Sequence, residues 1–447
     1  MIPSRTERLS GWGRHPVREC RVYRPEKVSE LAQVLAGAPA GGVVPRGLGR
    51  AYGDAALNEG GAVVSHLRLN RLLSFDDETG VLECEAGVAL GEIVDALLPR
   101  GWFLPVVPGT RHVTVGGAIA ADVHGKNHHA DGTFGRFVDE IRLLTPGRGM
   151  RVCSRRVEGD AFRATLGGMG LTGAIVSARI RLMRVESAWM SVDQAPTRDL
   201  DDALARFAGA DAGHRYSVAW IDALARGRNL GRGVLLLGDH APASSIRGEP
   251  FPRRKSGAHA VPFDAPALLL NRLTVGAFNR AYRASHRGKT GMMQPLEPFF
   301  WPLDAVGGWN RLYGRRGFIQ YQFVVPPGAE RALAAVLERA AASGRASFLA
   351  VLKRFGPAGE GLLSFPMEGW TLSLDFPVAS GLQEMITAMD GVVADAGGRV
   401  YLAKDAMLNA ETFTRMYPAA DGFRAVKRTL DPGGVLTSSL ARRVGLA

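Results

Sequence analysis

The sharpest patterning lies in the last third of the chain. Phe318–Val325 alternates as a strand, Ala329–Ala342 carries apolar residues at helical spacing, and Ser347–Phe355 reads as a second strand. Trp370–Phe376 is a third strand, Leu382–Ala396 a second amphipathic helix and Arg399–Ala403 a last strand. This order predicts an antiparallel sheet with its helices on one face. Strand side chains alternate between faces, so Gln320 and Gln322 share a side with Phe318 and Val324. Lys353 falls with Leu349, Val351 and Phe355, while Thr371, Ser373 and Asp375 stand opposite Leu372, Leu374 and Phe376. Three strands each bring polar groups to one face. A solvent-facing side would account for most of them, but a lysine among apolar neighbours needs a partner. A ligand cavity over this face is therefore the preferred reading, with a structural Lys353–Asp375 ion pair as the alternative.

The first 175 residues pattern differently. Glycine clusters recur at 41–61, 109–117, 125–135 and 167–173, marking tight turns. Between them lie strands at Ala62–Ser65 and Val81–Val88, and a helix with Leu90, Ile93, Val94, Leu97 and Leu98 on one stripe. Together the halves make an α+β protein. The region from Ala188 to Arg316 shows no sustained period.

Composition narrows the function. With 447 residues, 46% apolar and 22% charged, the chain is globular and long enough for two or three domains. Lys plus Arg number 55 against 43 Asp plus Glu, a net charge of +12 that points to an anionic partner: nucleic acid, a phosphate-bearing substrate or a lipid surface. A basic stretch holds Arg253, Arg254, Lys255, Arg272, Arg280, Arg283, Arg287 and Lys289. It reads either as solvated loops or as a landing site for an anionic membrane. It lacks the aromatic interleaving of a nucleic-acid surface, so no nucleic-acid partner is expected. No apolar run is long enough to span a bilayer and no signal core opens the chain, which leads to an expected cytoplasmic location with peripheral membrane attachment. Cys20, Cys84 and Cys153 fit neither a disulfide framework nor a zinc cluster.

Three glycine-rich segments carry the candidate chemistry. RGLGRAYGD at 46–54 follows a strand-like segment, and its glycines let successive amides form an anion nest suited to a pyrophosphate. PGTRHVTVGGAIAADVHGKNHHADGTFG at 108–135 offers more exposed backbone and clusters His124, His128 and His129 beside Asp122 and Asp131. His124 and His128 have the i, i+4 spacing of a zinc helix, but Gly125 and the Asp131–Gly132 turn argue against a continuous helix, so no metal is expected. GGMGLTG at 167–173 contains G-x-G-x-x-G between a helix and a strand, the reverse of a nicotinamide-type Rossmann site.

In this order and spacing the three segments resemble those of the vanillyl-alcohol-oxidase type of FAD flavoproteins, whose first glycine loop carries a motif like RGxGxSxxG. The resemblance is closer still to the branch acting on polyprenyl-phosphoryl ribose. It extends through LSGWGR at 9–14, SVAWIDA at 217–223, GFIQYQF at 317–323, LSFP at 363–366 and YLAKDA at 401–406. It implies a two-domain PCMH-type fold: an FAD-binding domain of 1–187, an antiparallel-sheet substrate domain of 188–398, and a segment of 399–447 returning to the FAD domain. By similarity, FAD is lined by Arg46, Gly47, Leu48, Gly49, Arg50, Ala51, Tyr52, Gly53 and Asp54. The second and third segments and the tail add Gly109, Thr114, Val115, Gly116, Gly117, Ala121, His124, Gly125, Ile175 and Tyr401. The family's covalent attachment uses a histidine where this chain has Arg50, so noncovalent FAD is expected.

The resemblance further implies oxidation of the 2′-hydroxyl of a polyprenyl-phosphoryl-β-D-ribose to the 2′-keto sugar, the first half of an epimerisation to arabinose. A short-chain-type NADH-dependent keto-reductase would complete it, and a membrane quinone or oxygen would reoxidise the flavin. Cell-envelope placement is the alternative location, and oxidation of a free sugar, polyol or aldonolactone the alternative reaction. Lys404 and His124 are the candidate catalytic groups, and Lys404 stands either as base or only as a hydrogen-bond donor. Tyr52, Lys126, Trp220, Gln320, Gln322, Lys353, Phe355, Thr371 and Ser373 are the candidate substrate contacts, with Trp220 equally readable as core. Ser373 stands where several members carry cysteine, Phe300 where the mycobacterial type has a hydroxylated aromatic, and Thr371 in place of an asparagine.

Overall fold

Apart from Trp102–Phe103, which pairs with Met183–Arg184, the strands of the first 181 residues form two separate sheets. Ser4–Ser10, Val17–Tyr23, Ala62–Ser65 and Val43–Arg46 lie side by side in that order, the last two pairings parallel. Leu72–Phe75, Val81–Glu85, Ala174–Arg181, Val138–Thr145 and Gly149–Cys153 form an antiparallel second sheet. The helix Leu90–Leu97 buries Leu90, Ile93, Val94 and Leu97 against it, as the apolar stripe requires. This computed structural model describes residues 2–210, 213–252, 259–266, 270–286, 288–345 and 349–447. Arg253, Arg254, Lys255 and Arg287 of the basic stretch, and Ser347 of the expected strand, lie outside the described residues.

An eight-stranded sheet dominates the rest. Its order is Lys289–Pro295, Trp189–Thr197, Gly233–His240, Tyr216–Ile221, Ala350–Phe355, Gly369–Pro377, Phe318–Val325 and Arg399–Val400. Every pairing is antiparallel. The helices Glu330–Ser343 and Leu382–Asp395 cover one face, setting Leu333, Val336, Leu337, Ile386, Met389 and Val393 in the same core as Tyr321, Phe323, Leu372 and Leu374. Register puts Gln320 opposite Asp375, Gln322 opposite Ser373 and Lys353 opposite Thr371 on the other face. Alternation thus sorts the polar residues as the sequence requires.

Two boundaries differ from expectation because turns intervene. The strand expected over Arg399–Ala403 stops at Val400, since the Lys404 and Asp405 amides both donate to the Tyr401 carbonyl. Val81–Val88 stops at Glu85, where the Val88 amide turns back to the Glu85 carbonyl. Among the described residues no helix is long and apolar enough to cross a membrane.

From Tyr401 the chain crosses back to the first sheet through the helices Ala410–Met416, Ala420–Leu430 and Ser439–Val444. The Val43 amide donates to Val435 and the Thr437 amide to Val43, so the tail lies along a strand next to the first glycine loop. Arg443 locks this return. Its guanidinium donates to Asp54 Oδ1 at 2.6 Å and to Asp405 Oδ2 at 2.8 Å. Asp54 and Asp405 are 5% and 6% exposed, so each needs that cation. Replacing Arg443 with Ala leaves two buried carboxylates unpaired. It is expected to destabilise the fold by about 3 kcal/mol, read as a lowered denaturant midpoint with unchanged slope; an unchanged midpoint would count against the clamp.

Candidate functional site

The glycine turns and the polar sheet face enclose one cavity of about 380 Å³. One wall is backbone. Gly47, Leu48, Gly49, Arg50, Ala51 and Tyr52 line it from the first loop, and Gly109, Thr114, Gly116, Gly117 and Ala121 from the second. Gly170, Gly173 and Ile175 follow from the third. The facing wall carries Gln320, Gln322, Lys353, Thr371 and Ser373, and the tail adds Tyr401 and Lys404.

The first loop is built to present amides. The side chain of Arg46 is turned to the carbonyls of Ala56 (3.1 Å) and Ser10 (2.7 Å), bracing the loop from behind. Gly49 takes φ +65, a left-handed conformation that favours glycine. Among the described residues nothing accepts from the amides of Gly47, Leu48, Gly49, Arg50 and Ala51. Five successive donors left open on a cavity wall call for an anionic, acceptor-rich ligand, and a dinucleotide pyrophosphate meets that demand. Thr114 then caps the short helix Val115–Ala120, its hydroxyl accepting from the Gly117 amide at 3.1 Å. A Cβ on Gly47 would run into that same hydroxyl. The donor set and the cradle therefore fit FAD.

The sheet side carries an ordered chain of protons. The Thr371 hydroxyl donates to the Phe323 carbonyl at 2.8 Å, so its oxygen accepts from Gln322 Nε2 at 3.1 Å. The second hydrogen on that amide nitrogen points to His124 Nε2, 3.0 Å away. His124 therefore accepts at Nε2 and carries its proton on Nδ1. Burial drives its pKa well below the ordinary value, with Lys353, His128 and Lys404 pushing the same way, so the ring stays neutral. A neutral imidazole whose Nε2 lone pair is taken by Gln322 is a fixed wall of the site.

The chain has seven lysines, against forty-eight arginines within its 55 basic residues, and three of the seven line this cavity. Burial lowers Lys126 to about 7 and Lys353 to about 8. Lys404 is likewise pushed down by burial, while Asp375 opposes the shift and Lys353 adds to it. Unlike guanidinium, an ammonium can lose its proton at such a site. Lys126 donates to the Phe299 carbonyl and lies over that ring at 4.3 Å. Lys404 Nζ lies 4.6 Å from the centre of the Tyr52 ring.

Five expected site residues stand outside the cavity wall. Gly53 packs its backbone on Asp405, and Asp54 is held by Arg443. The Val115 side chain is fully buried in the core, and Gly125 is closed off by Asn127 and Val107. Phe355 is wedged against the rings of His124 and His128, at 4.7 and 4.4 Å. Asp375 does not pair with Lys353; its oxygens accept from Gln320 and Tyr313. The short helix His128–Asp131 begins after His124, so the two histidines do not share a helix, and His128 Nδ1 accepts from the Gly356 amide. Trp220 faces the cavity, its ring 4.7 Å from that of Tyr282.

Sequence reasoning missed Trp12, His66, Tyr282, Leu303 and Trp309 as lining residues. Trp12 had a signal: it lies in LSGWGR, and Arg50 stacks over its ring at 4.0 Å. Tyr282 lies within the basic stretch, where no period singled it out.

Comparison with known proteins gives concordant matches. Residues 21–154 match the FAD binding domain family, and residues 370–444 match the D-arabinono-1,4-lactone oxidase family. The chain is 40% identical to the decaprenylphosphoryl-beta-D-ribose oxidase of Mycolicibacterium smegmatis, over 100% of this chain and 99% of that protein. An uncharacterized protein of Streptomyces coelicolor is 39% identical over 80% of this chain and its own full length. A putative D-arabinono-1,4-lactone oxidase of Neurospora crassa is 28% identical over 37% of this chain and 30% of that protein. FAD is the cofactor of this chain, and the open amides of the cavity wall fit it. Gly47→Ala should displace the Thr114 hydroxyl from its cap and narrow the cradle. We expect purified Gly47→Ala protein to hold at least about tenfold less flavin per chain by absorbance, with folding retained by circular dichroism; full flavin content would contradict the assigned cradle.

Proposed function

The chain belongs to the decaprenylphosphoryl-β-D-ribose oxidase family of FAD flavoproteins, and we propose that it oxidises the 2′-hydroxyl of a polyprenyl-phosphoryl-β-D-ribose to the 2′-keto sugar. The observation that carries this reading is one cavity with open amides on one wall and, on the other, a lysine that burial prepares to accept a proton. When bound, FAD supplies the acceptor for the hydride leaving the sugar carbon. Lys404 takes the hydroxyl proton: burial favours its neutral amine, which has a lone pair to receive it. Gln322, oriented by Thr371, and neutral His124 hold one side of the reacting sugar. Tyr52 stays a phenol, because burial and then Asp375 raise its pKa well above the ordinary value, against the hydrogen bond of Gln320. Arg50, stacked on Trp12, provides no nucleophile for a histidyl–flavin bond, and we read the attachment as noncovalent.

Val218, Trp220, Leu236, Leu303, Leu349 and Val351 line the same cavity, an apolar stretch that favours a prenyl tail over a free polyol. The match of residues 370–444 to a lactone oxidase family favours the second reading, oxidation of a free sugar or lactone. The product ketone requires reduction from the opposite face for epimerisation, which a short-chain-type NADH-dependent keto-reductase would perform, while a membrane quinone or oxygen would reoxidise the flavin. Anaerobic mixing with synthetic prenyl-phosphoryl ribose is expected to bleach the flavin, and free pentitols to leave it oxidised; the reverse preference would favour the second reading. Lys404→Ala should keep the yellow colour and lose at least about a hundredfold in the rate of bleaching, whereas an unchanged rate would dismiss Lys404 as base.

A lipid substrate also needs access from a membrane surface. The helix Arg272–Ser285 carries Leu273, 84% exposed, and exposed Phe278, Arg272 and Arg280, and its Tyr282 lines the cavity. Apolar side chains flanked by arginines suit an anionic lipid interface. We expect binding to vesicles containing phosphatidylglycerol, weakened several-fold by Leu273→Glu; equal sedimentation of both proteins would remove this helix as the contact.

A further inference from the structure

Asp375 is a buried carboxylate that the proton transfer described above leaves unused. It stands on the strand Gly369–Pro377, in register with Gln320, and is 0% exposed. Its Oδ1 accepts from Gln320 Nε2 at 2.6 Å and its Oδ2 from the Tyr313 hydroxyl at 3.1 Å. Both oxygens therefore act as acceptors, the pattern of an ionised carboxylate. Tyr313 is held for this role by its ring, stacked on Phe318 at 4.1 Å and 16°. Burial raises the Asp375 pKa to about 7, and the Gln320 hydrogen bond, the charge of Lys404 and the Tyr313 hydrogen bond keep it from rising further, so the carboxylate depends on these partners for its charge.

The groups around Lys404 come from four elements. Tyr52 reaches it from the first glycine loop, Lys353 acts from the strand Ala350–Phe355, His124 from the second loop, and Asp375 from the strand Gly369–Pro377. Tyr52 is a protonated phenol, His124 a neutral ring and Lys353 a cation or a neutral amine. Asp375 is the anion of this set. When the hydroxyl proton moves to Nζ, the O–H bond breaks and an N–H bond forms. The O–H pair becomes the second carbon–oxygen bond of the ketone, and the C–H pair would leave as the hydride that FAD accepts when bound. The step thus creates an ammonium in a site that already disfavours one.

We propose that Asp375 is a positioning residue for this step: its carboxylate, fixed by Gln320 and Tyr313, supplies the negative charge that steadies Lys404 once it becomes an ammonium. The proposal rests on Lys404 as the proton acceptor. It assigns Tyr313, which does not line the cavity, a part in the chemistry through Asp375 alone.

Seven lysines make the test direct. With 13Cε-labelled lysine in the FAD-loaded protein, the Lys404 signal is the one lost in Lys404→Arg, and its titration is followed by NMR. In Asp375→Asn the midpoint is expected to fall by about one pH unit or more, because the ammonium loses its counter-charge. Tyr313→Phe keeps the ring stack but removes a donor from the carboxylate, so the midpoint moves the same way by less. This milder variant decides the matter should Asp375→Asn fail to fold. An unmoved Lys404 midpoint in the folded variants overturns the proposal. The acid limb of the flavin-reduction rate should move to lower pH by the same step. A moved NMR midpoint with an unmoved acid limb supports the hold of Asp375 on Lys404 and dismisses Lys404 as the base.

Discussion

Desolvation on the inner face of the eight-stranded sheet governs this molecule. Alternation forces Gln320, Gln322, Lys353, Thr371, Ser373 and Asp375 to one side once the apolar side chains of the same strands are committed to the covering helices. The glycine turns close over that side, and bulk water no longer neutralises its charges. Every polar group there must then find a partner or change its protonation state. Asp375 finds Gln320 and Tyr313, Gln322 finds Thr371 and His124, and the lysines shift toward the neutral amine. The resulting acid–base character follows from sheet geometry together with a roof.

The roof obeys a different constraint. Amides can face an anionic ligand only if side chains stay out of the way and the loop is held from behind. Glycine meets the first condition, with Gly49 in a left-handed conformation and Gly47 against Thr114. Arg46 and Arg443 meet the second, one binding carbonyls of the loop's surroundings and the other tying Asp54 to the tail. Asp54 resembled a cofactor ligand in sequence because it shares the motif, yet its carboxylate faces away and serves the clamp.

Periodicity made the sheet legible. Phe318–Val325 has the bounds read from alternation, and the polar face falls where the alternation of three strands placed it. The three glycine segments were legible as backbone surfaces, and the resemblance grouped them around one cofactor. Two kinds of information escaped the period. The strand at Arg399 ends where the Lys404 and Asp405 amides turn back onto the Tyr401 carbonyl, a turn that alternation does not reveal. The partner of Asp375 depended on which side chains cross the sheet, so Lys353, its neighbour by pattern, was displaced by Gln320 and Tyr313 from the adjoining strand and a preceding turn. Tyr282 reached the cavity from a helix whose sequence reads mainly as surface.

The wall of the cavity draws on Trp12 near the start of the chain and on Lys404 near its end, with the clamp at Arg443 later still. During synthesis the nucleotide-facing loops emerge hundreds of residues before the segment that secures them. The binding chamber is therefore assembled only once the segment carrying Lys404 and Arg443 has been made and docked. Cofactor capture follows the packing of those helices beside the N-terminal sheet.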